Sequence, residues 1–586
     1  MKKIVSLLLA LSVLVACASV LVSCGAPKDA GPEIKVYLGE EIYDFDPTDY
    51  YVDSNAEQVM SLLFEPLFTL NANGKLQYAA ANKYSVDKKE RKITIELRES
   101  YWSDEQRVTA NDYIFAWRDV LLEPNNANPA AALLFDIENA KEVKSGECSL
   151  YDFGAIATDT YEITITYREG ADYEVLLKNL ASVATSPLRQ DIVIPQRAGY
   201  WTKVLNYTVT NGPFRISTIN YDSGAFTLTR NGGYHQGTRE KNYTKNVTPN
   251  QLISFTNTDG NTVSLTYNDI VNKTVFYMGD ATLADRAANK KNATVVDDLS
   301  TYTYVFNMDN DLFKIKEVRQ ALSMAINRDA IIAAITFGKA ATGFLPDSVI
   351  NSSNGKSFRK NAQTLITVAG NLSGAQALLA TVDFTGIDKS FTLHVADNEE
   401  DLKIAELVAA TWTQLGFEVE VKAVDAKTTT ITDFGTEEKI TIKDSAIQAL
   451  VKQATHGDRN FDVIAVDWQM YSTDAFAALA AFATEYSGCG VDFANGNAAI
   501  GSFGGFSDPA YDALIDKAYN ATDAKARYNA LKEAEAYLVD SACIVPLVYN
   551  QSFAFVSKDL SGVATNALGN FVFSKVKQKN YEDYLN

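Results

Sequence analysis

Cysteine and histidine are scarce in this chain: its 586 residues include five Cys and three His. So few cysteines, irregularly spaced, exclude a disulfide-built scaffold, and stability has to come from packed cores. His235, His394 and His456 are not paired at the spacing of a helical zinc site. Cationic residues are outnumbered, 53 Lys and Arg against 73 Asp and Glu, for a formal charge of −20. That balance argues against nucleic acid, whose phosphates need basic clusters. Beyond the first 22 residues no apolar run reaches the roughly 18 residues of a membrane-spanning helix. A Gly-x-Ser-x-Gly elbow and a long-period repeat are also missing. Asn354-Gly355-Lys356-Ser357 imitates the end of a phosphate loop, but Ile350 stands where the first Gly belongs. Asp309-Asn310-Asp311 lacks the Gly and distal Glu of a calcium loop. What is abundant is aromatic surface, with 30 Tyr and 29 Phe in a chain long enough for roughly two to four domains.

The N-terminus carries an address. Met1-Lys2-Lys3 is basic, Ile4 to Val22 is almost wholly apolar, and Leu21-Val22-Ser23-Cys24-Gly25 follows. A basic segment, an apolar segment and small residues before a cut site make a secretory signal. The Cys-terminated cut site resembles the bacterial lipoprotein box. That resemblance implies removal of residues 1–23, lipidation of Cys24 and a protein tethered outside the cytoplasm. It would face the extracytoplasmic side of a bacterial cell membrane, or the periplasm where there is an outer membrane. The alternative is an uncleaved anchor, since about 20 apolar residues can cross a bilayer. Residues 24–32 read as a flexible linker. Cys148, Cys489 and Cys543 then remain, and three cysteines cannot all pair internally.

Periodicity gives the elements. Lys92–Leu97 and Tyr161–Tyr167 alternate apolar and polar residues, the pattern of half-buried strands. Thr109 with Asp112 reads as a helix cap, ahead of Tyr113, Trp117, Val120 and Leu121 at helical spacing. Phe391–Val395, Glu400–Leu415 and Phe417–Ala423 read strand, helix, strand, hence a parallel crossover in an α/β domain. Val318, Ala321, Leu322, Ala325 and Ile326 form a helical stripe, and Asp508-Pro509 caps another helix. Ile544–Tyr549 and Phe553–Val556 read as two closing strands. The Thr-rich segment Lys427–Lys443 reads as an insertion on a surface loop.

Several motifs occur in order over most of the chain. They are Leu63-Phe64-Glu65-Pro66-Leu67, Trp102-Ser103-Asp104, Val108-Thr109-Ala110-Asn111-Asp112, Asn211-Gly212-Pro213-Phe214, Val318-Arg319-Gln320-Ala321-Leu322, Phe461-Asp462-Val463 with Trp468, and Asp508-Pro509-Ala510-Tyr511-Asp512. In this the chain resembles the solute-binding proteins, family 5, of bacterial oligopeptide and dipeptide ABC importers. The resemblance implies an α/β fold of the periplasmic-binding-protein-like type II: two α/β lobes with a hinge, plus an extra small α+β domain. It places lobe I at 33–63, 189–300 and 555–586, the extra domain at 64–188, and lobe III at 301–554. It implies a monomeric binder, not an enzyme, without cofactor or metal, that takes an oligopeptide or dipeptide ligand and delivers it to ABC permease subunits. The readings from other classes are a surface hydrolase, a peptide-sensing receptor, and a binder of a nickel complex or sugar.

The site residues follow from the same resemblance. Ile464–Trp468, including Asp467, and Val52–Asn55, including Ser54, match segments that pair with an extended ligand backbone. Trp468 matches a pocket-wall tryptophan, with a core tryptophan as the other reading. Tyr471 stands where relatives often carry an Asp for the ligand's terminal ammonium, and Asp474 is the acid that could take its place. Pocket aromatics of relatives fall on Ala130, Ala426 and Asn550, with Tyr549 beside the last as compensation. His456 falls near a ligand-facing basic position, and an exposed loop is the plainer account. Ser300 and Gln469 replace a cysteine pair found in some relatives, and Ser254–Asp280 fits the family poorly.

Overall fold

Strict alternation builds the first sheet. In the computed structural model Lys92–Leu97 is a strand with Ile93, Ile95 and Leu97 buried, and Glu162–Thr166 lies antiparallel to it. The structure describes residues 31–584 except 40–41, 43, 51–53, 196–200, 206–207, 221–224, 237–244, 255–264, 426, 433–438 and 487–501. Cys24, the leader, most of the 24–32 linker, Val52, Ala426 and Cys489 therefore lie outside the described residues.

The chain begins with strand β1 (Glu33–Tyr37) and helix α1 (Ser54–Leu63). Strands β2 (Ala81–Asp87), β3 (Lys92–Leu97), β4 (Ala155–Asp159) and β5 (Glu162–Thr166) form a separate antiparallel sheet in the order β2-β3-β5-β4. Between β3 and β4 the Thr109 amide donates to the Asp112 carboxylate at 2.8 Å, starting a short helix (Ala110–Ile114). It continues as a π-helical turn through Leu121, where Trp117 is buried and its Nε1 donates to the Thr185 carbonyl at 2.8 Å.

The main sheet has 11 strands. Its first part is β1 with β6 (Phe214–Ile219), β7 (Phe226–Arg230), β8 (Gln251–Ser254) and β9 (Tyr277–Met278). Then comes the 14-residue strand β10 (Ala293–Phe306), followed by β11 (Ser390–Ala396), the helix Glu399–Gln414 and β12 (Glu418–Val424). β11 and β12 run parallel, as the strand–helix–strand reading requires. Lys427–Thr432 and Lys439–Asp444 pair with each other as an antiparallel hairpin, so the Thr-rich insertion is a β-ribbon and not a loop. Its density of β-branched Thr and Ile residues explains the difference. Helix α2 (Ala446–Ala454), β13 (Val463–Gln469), α3 (Ala475–Ala480), α4 (Pro509–Tyr519) and α5 (Ala524–Ser541) follow. Strand β14 (Ile544–Val556) completes the order β12-β11-β13-β10-β14-β9-β1-β8-β7-β6, and the short strand Lys339–Ala340, paired to β14 off this path, is the eleventh.

β14 is one 13-residue strand where two were expected. The polar stretch Asn550–Ser552 hides its continuity in sequence, yet the backbone ladder runs through it. β10 and β14 pair antiparallel along most of their length, with a break in register between Asp297 and Thr301. Before the break β10 is largely exposed, and after it every residue is buried. One end of this strand pair joins β9 and the other joins β13, so both strands cross between the two halves of the sheet. The far half has its own core, in which Trp412 packs on Tyr304, Phe306 and Phe391 and donates to the Leu322 carbonyl at 2.9 Å. Cys148 and Cys543 are both free, and burial pushes the Cys543 thiol up to about 11.

Candidate functional site

Where the crossing strands part, polar side chains from three strands meet. Ser300 sits opposite Gln469 and Tyr302 opposite Asp467 across β10 and β13. Asn550 of β14 donates to Ser300 Oγ at 2.8 Å and to Asp467 Oδ1 at 2.7 Å. Burial, followed by the Asp401 charge, raises the Asp467 carboxyl well above its ordinary range. On the facing side stands α1, whose first turn carries the buried acid Glu57. One Glu57 oxygen accepts from Asn570 Nδ2 at 2.9 Å, and the other accepts from Gln469 Nε2. Glu57 therefore joins the two halves directly.

Other contacts seal the same seam. Tyr50 and Tyr471 meet edge to face, 5.0 Å between centroids, and the Tyr50 hydroxyl lies 3.3 Å from Ser182 Oγ. Tyr471 holds φ at +60°, a strained setting for a bulky residue, which directs the chain out of β13. Next to it Ser472 Oγ donates to Asn179 Oδ1 at 2.7 Å. Lys452 of α2 pairs with Asp49 at 2.6 Å and approaches Asp44 at 3.7 Å. Arg168 stacks on the Tyr519 ring at 3.8 Å, and the Tyr519 hydroxyl donates to the Phe135 carbonyl at 3.1 Å. The cleft between the halves is shut.

Trp468 alternates away from this seam. Its ring is 2% exposed, stacked on Phe482 (4.7 Å) and Phe503 (5.5 Å) with Phe344 at its edge. Asp474 caps α3, accepting from the Phe476 amide at 3.0 Å, and takes both terminal nitrogens of Arg527 at 2.6 and 2.7 Å. Burial alone would raise this carboxyl; the Arg527 guanidinium overrides it and leaves the group below its ordinary value. Its charge is matched within its own half of the molecule, which leaves none for a solute's ammonium. Tyr549 is buried beside β10, its hydroxyl accepting from the Thr342 amide at 3.2 Å. His456 is exposed in the turn after α2, and its amide donates to the Gln453 carbonyl at 3.1 Å. Ser54 opens α1, and its side chain lies outside the described residues. Ala130 is fully buried in a short helix. Asp467 and Asn550 are thus brought together, with Tyr471 at the same seam, whereas Asp474 and His456 are placed elsewhere.

Sequence reasoning passed over Glu57, Asp298 and Arg527. Glu57 had a visible signal, an acid in the same turn as the buried Ala56, Val59 and Met60. Asp298 had none, because its burial comes from the strand crossing. Its oxygens accept from the Leu299 amide at 2.6 Å and from Ser552 Oγ at 3.2 Å, and burial holds its carboxyl at about 6. Among the described residues no cluster of His, Cys, Asp and Glu suits a metal ion.

Two halves hung on a pair of crossing strands, with walls of the cleft drawn from both, define a two-lobed solute binder. The chain belongs to the bacterial extracellular solute-binding proteins, family 5, whose model matches residues 75–488. It is 24% identical to the dipeptide-binding protein DppE of Bacillus subtilis (strain 168), over 96% of both chains. The substrate-binding domain of an oligopeptide ABC transporter from Bacillus anthracis superimposes with a TM-score of 0.76 at 21% identity, covering 94% of this chain and 99% of that one. Haemophilus influenzae OppA, solved with the peptide RPPGFSPFR, gives 0.73 at 20% identity, with 94% and 99% coverage. The fold is the type II periplasmic-binding-protein-like arrangement of α/β lobes. Among the described residues no helix is long and apolar enough to cross a membrane.

Proposed function

We propose that this chain is a lipid-anchored receptor on the extracytoplasmic face of a bacterial cell. It captures an oligopeptide or dipeptide between its lobes and hands it, as a monomer, to the permease subunits of an ABC importer. The names of its relatives support a peptide as the solute. The observation that carries the reading is the edge of β13. Its pairing with β11 stops at Ile464, while pairing with β10 continues to Gln469. A strand that parts from β11 as it enters an interlobe seam is a place where an extended peptide could lie along protein main chain. Such bonds are tolerant of side-chain identity. Tyr471, Asp467 and Asn550 would line this place, and Trp468 would brace the strand from behind.

The lobe limits in this reading are 33–63, 189–300 and 555–586 for lobe I, 64–188 for the extra domain and 301–554 for lobe III. The register break in β10 supports the first crossing at 300–301, and its partner residues Tyr549 to Gln551 favour drawing the second a few residues earlier than 555. A ligand touching both lobes favours the closed state by its differential affinity for that state. Lipidation at Cys24 would keep the receptor beside its permease.

Native mass spectrometry of ligand retained by the soluble body tests the proposal. The expected result is one peptide per chain, released unchanged. Turnover of the ligand, or a bound solute containing no peptide bond, would overturn it.

A further inference from the structure

Two buried acids at the seam have no cation among the described residues. Glu57 is 2% exposed and Asp298 is 7% exposed, and neither has an ion-pair partner among the described residues. Burial raises the Glu57 carboxyl well above its ordinary value, and the Asp298 charge adds to the rise. Burying carboxylates together without a counter-charge is costly, and proteins ordinarily avoid it. Asp49, by contrast, meets a cation across the same seam in Lys452.

A second observation points the same way. Gln469 is 1% exposed and gives its Nε2 to Glu57, yet its amide oxygen accepts no hydrogen bond among the described residues. When ionised, Glu57 only accepts, and the Gln469 amide then presents its nitrogen and leaves its oxygen without a donor. Two acids short of positive charge and one buried acceptor short of a donor require the same group. A primary ammonium is one positive charge with three N–H donors. Tyr50, whose hydroxyl is raised by burial and then by the Glu57 charge, places an aromatic ring nearby, against Tyr471. Aromatic faces favour cations.

We propose that Glu57, Asp298 and Gln469 form a subsite for a protonated amine of the solute, completed when the lobes close. The acid comes from helix α1 of the first lobe, not from the segment after β13 where the resemblance put it. This deepens the peptide-receptor reading and rests on it only for what carries the amine. It also makes empty closure unfavourable, since shutting the cleft without a cation buries the two acids unmatched.

The test uses the mature chain and its Glu57→Gln variant. Glutamine keeps the size of the side chain and can still bond Asn570 and Gln469, so the variant is expected to fold. The probes are a mixture of tripeptides and tetrapeptides with free N-termini and the same mixture N-acetylated, read by native mass spectrometry. Wild type is expected to retain free-amine members at least about tenfold better than acetylated ones, and the variant to lose that preference. Acetylated members retained only when they contain lysine would assign the site to a side-chain ammonium, which also supports it. Equal retention of acetylated and free peptides by wild type, or an unchanged preference in the variant, would overturn it. Should wild type retain neither mixture, the peptide reading fails alone. Thermal shift with putrescine against 1,4-butanediol then decides the subsite: diamine stabilisation of wild type but not of the variant supports it, and equal responses overturn it.

Discussion

Asp474 and Glu57 are both buried carboxylates near the cleft, and they have opposite circumstances. Asp474 caps α3 and is gripped by Arg527 through two short bonds, which holds its carboxyl low. Among the described residues Glu57 meets neutral amides, from Asn570 and Gln469, and is held high by burial and Asp298. The family resemblance offered Asp474 as an acid that could stand in for the ligand acid; three-dimensional charge matching favours Glu57. A satisfied acid fixes structure, whereas an unsatisfied one at a moving interface is available for binding.

The largest effect that can break this contrast is at Arg527. Replacing it by Met leaves Asp474 buried and unpaired, and we expect a loss of about 3–5 kcal/mol in denaturant unfolding at neutral pH. A wild-type midpoint for Arg527→Met would show that Asp474 is not committed to structure. Trp468 belongs on the same side of the comparison. Its ring fills an aromatic stack, so Trp468→Ala should cost about 3–5 kcal/mol by the same measurement. An unaltered melt with weakened peptide retention would return it to the pocket wall. Asn550 stands between the two classes, donating to Ser300 and Asp467 at the hinge. Asn550→Ala should cost about 1–3 kcal/mol, because buried acceptors lose their donor; calorimetric unfolding would show it.

The smallest effect expected is a change of pH slope. Asp46 is raised to about 7 by burial, then by the charges of Asp44 and Asp49. The folded protein therefore holds a proton that the unfolded chain releases at lower pH. Its contribution to stability is complete below the ordinary carboxylate value and is lost as pH rises through about 7. Asp46→Asn should flatten unfolding midpoints over that window. Identical slopes for variant and wild type would remove Asp46 from the account.

How much of this was legible in the sequence depended on how local the cause was. Ile93, Ile95 and Leu97 alternate because a strand turns alternate residues to one face, and they are buried as read. Asp508 caps α4 at 2.8 Å from the Ala510 amide, a contact between residues two apart. β14 was split at Asn550–Ser552 because a strand crossing between lobes is half exposed at its middle, which resembles a turn. The two-lobed fold was readable from ordered motifs. At the site, Asp467, Asn550 and Tyr471 were reached by resemblance, but nothing within 50 residues of Asp474 announces Arg527. Asp298 looks like any polar residue in a strand until the crossing buries it. Charge pairing across lobes is a property of the closed shape, and a one-dimensional pattern carries it poorly.

β10 and β14 are two crossings held to each other by a main-chain ladder, which restrains the lobes more than a single connection would. A lobe suspended on such a double strap has fewer ways to move than one on a lone loop. Under the receptor reading proposed above, that restraint would keep the outer contour alike from one cargo to the next.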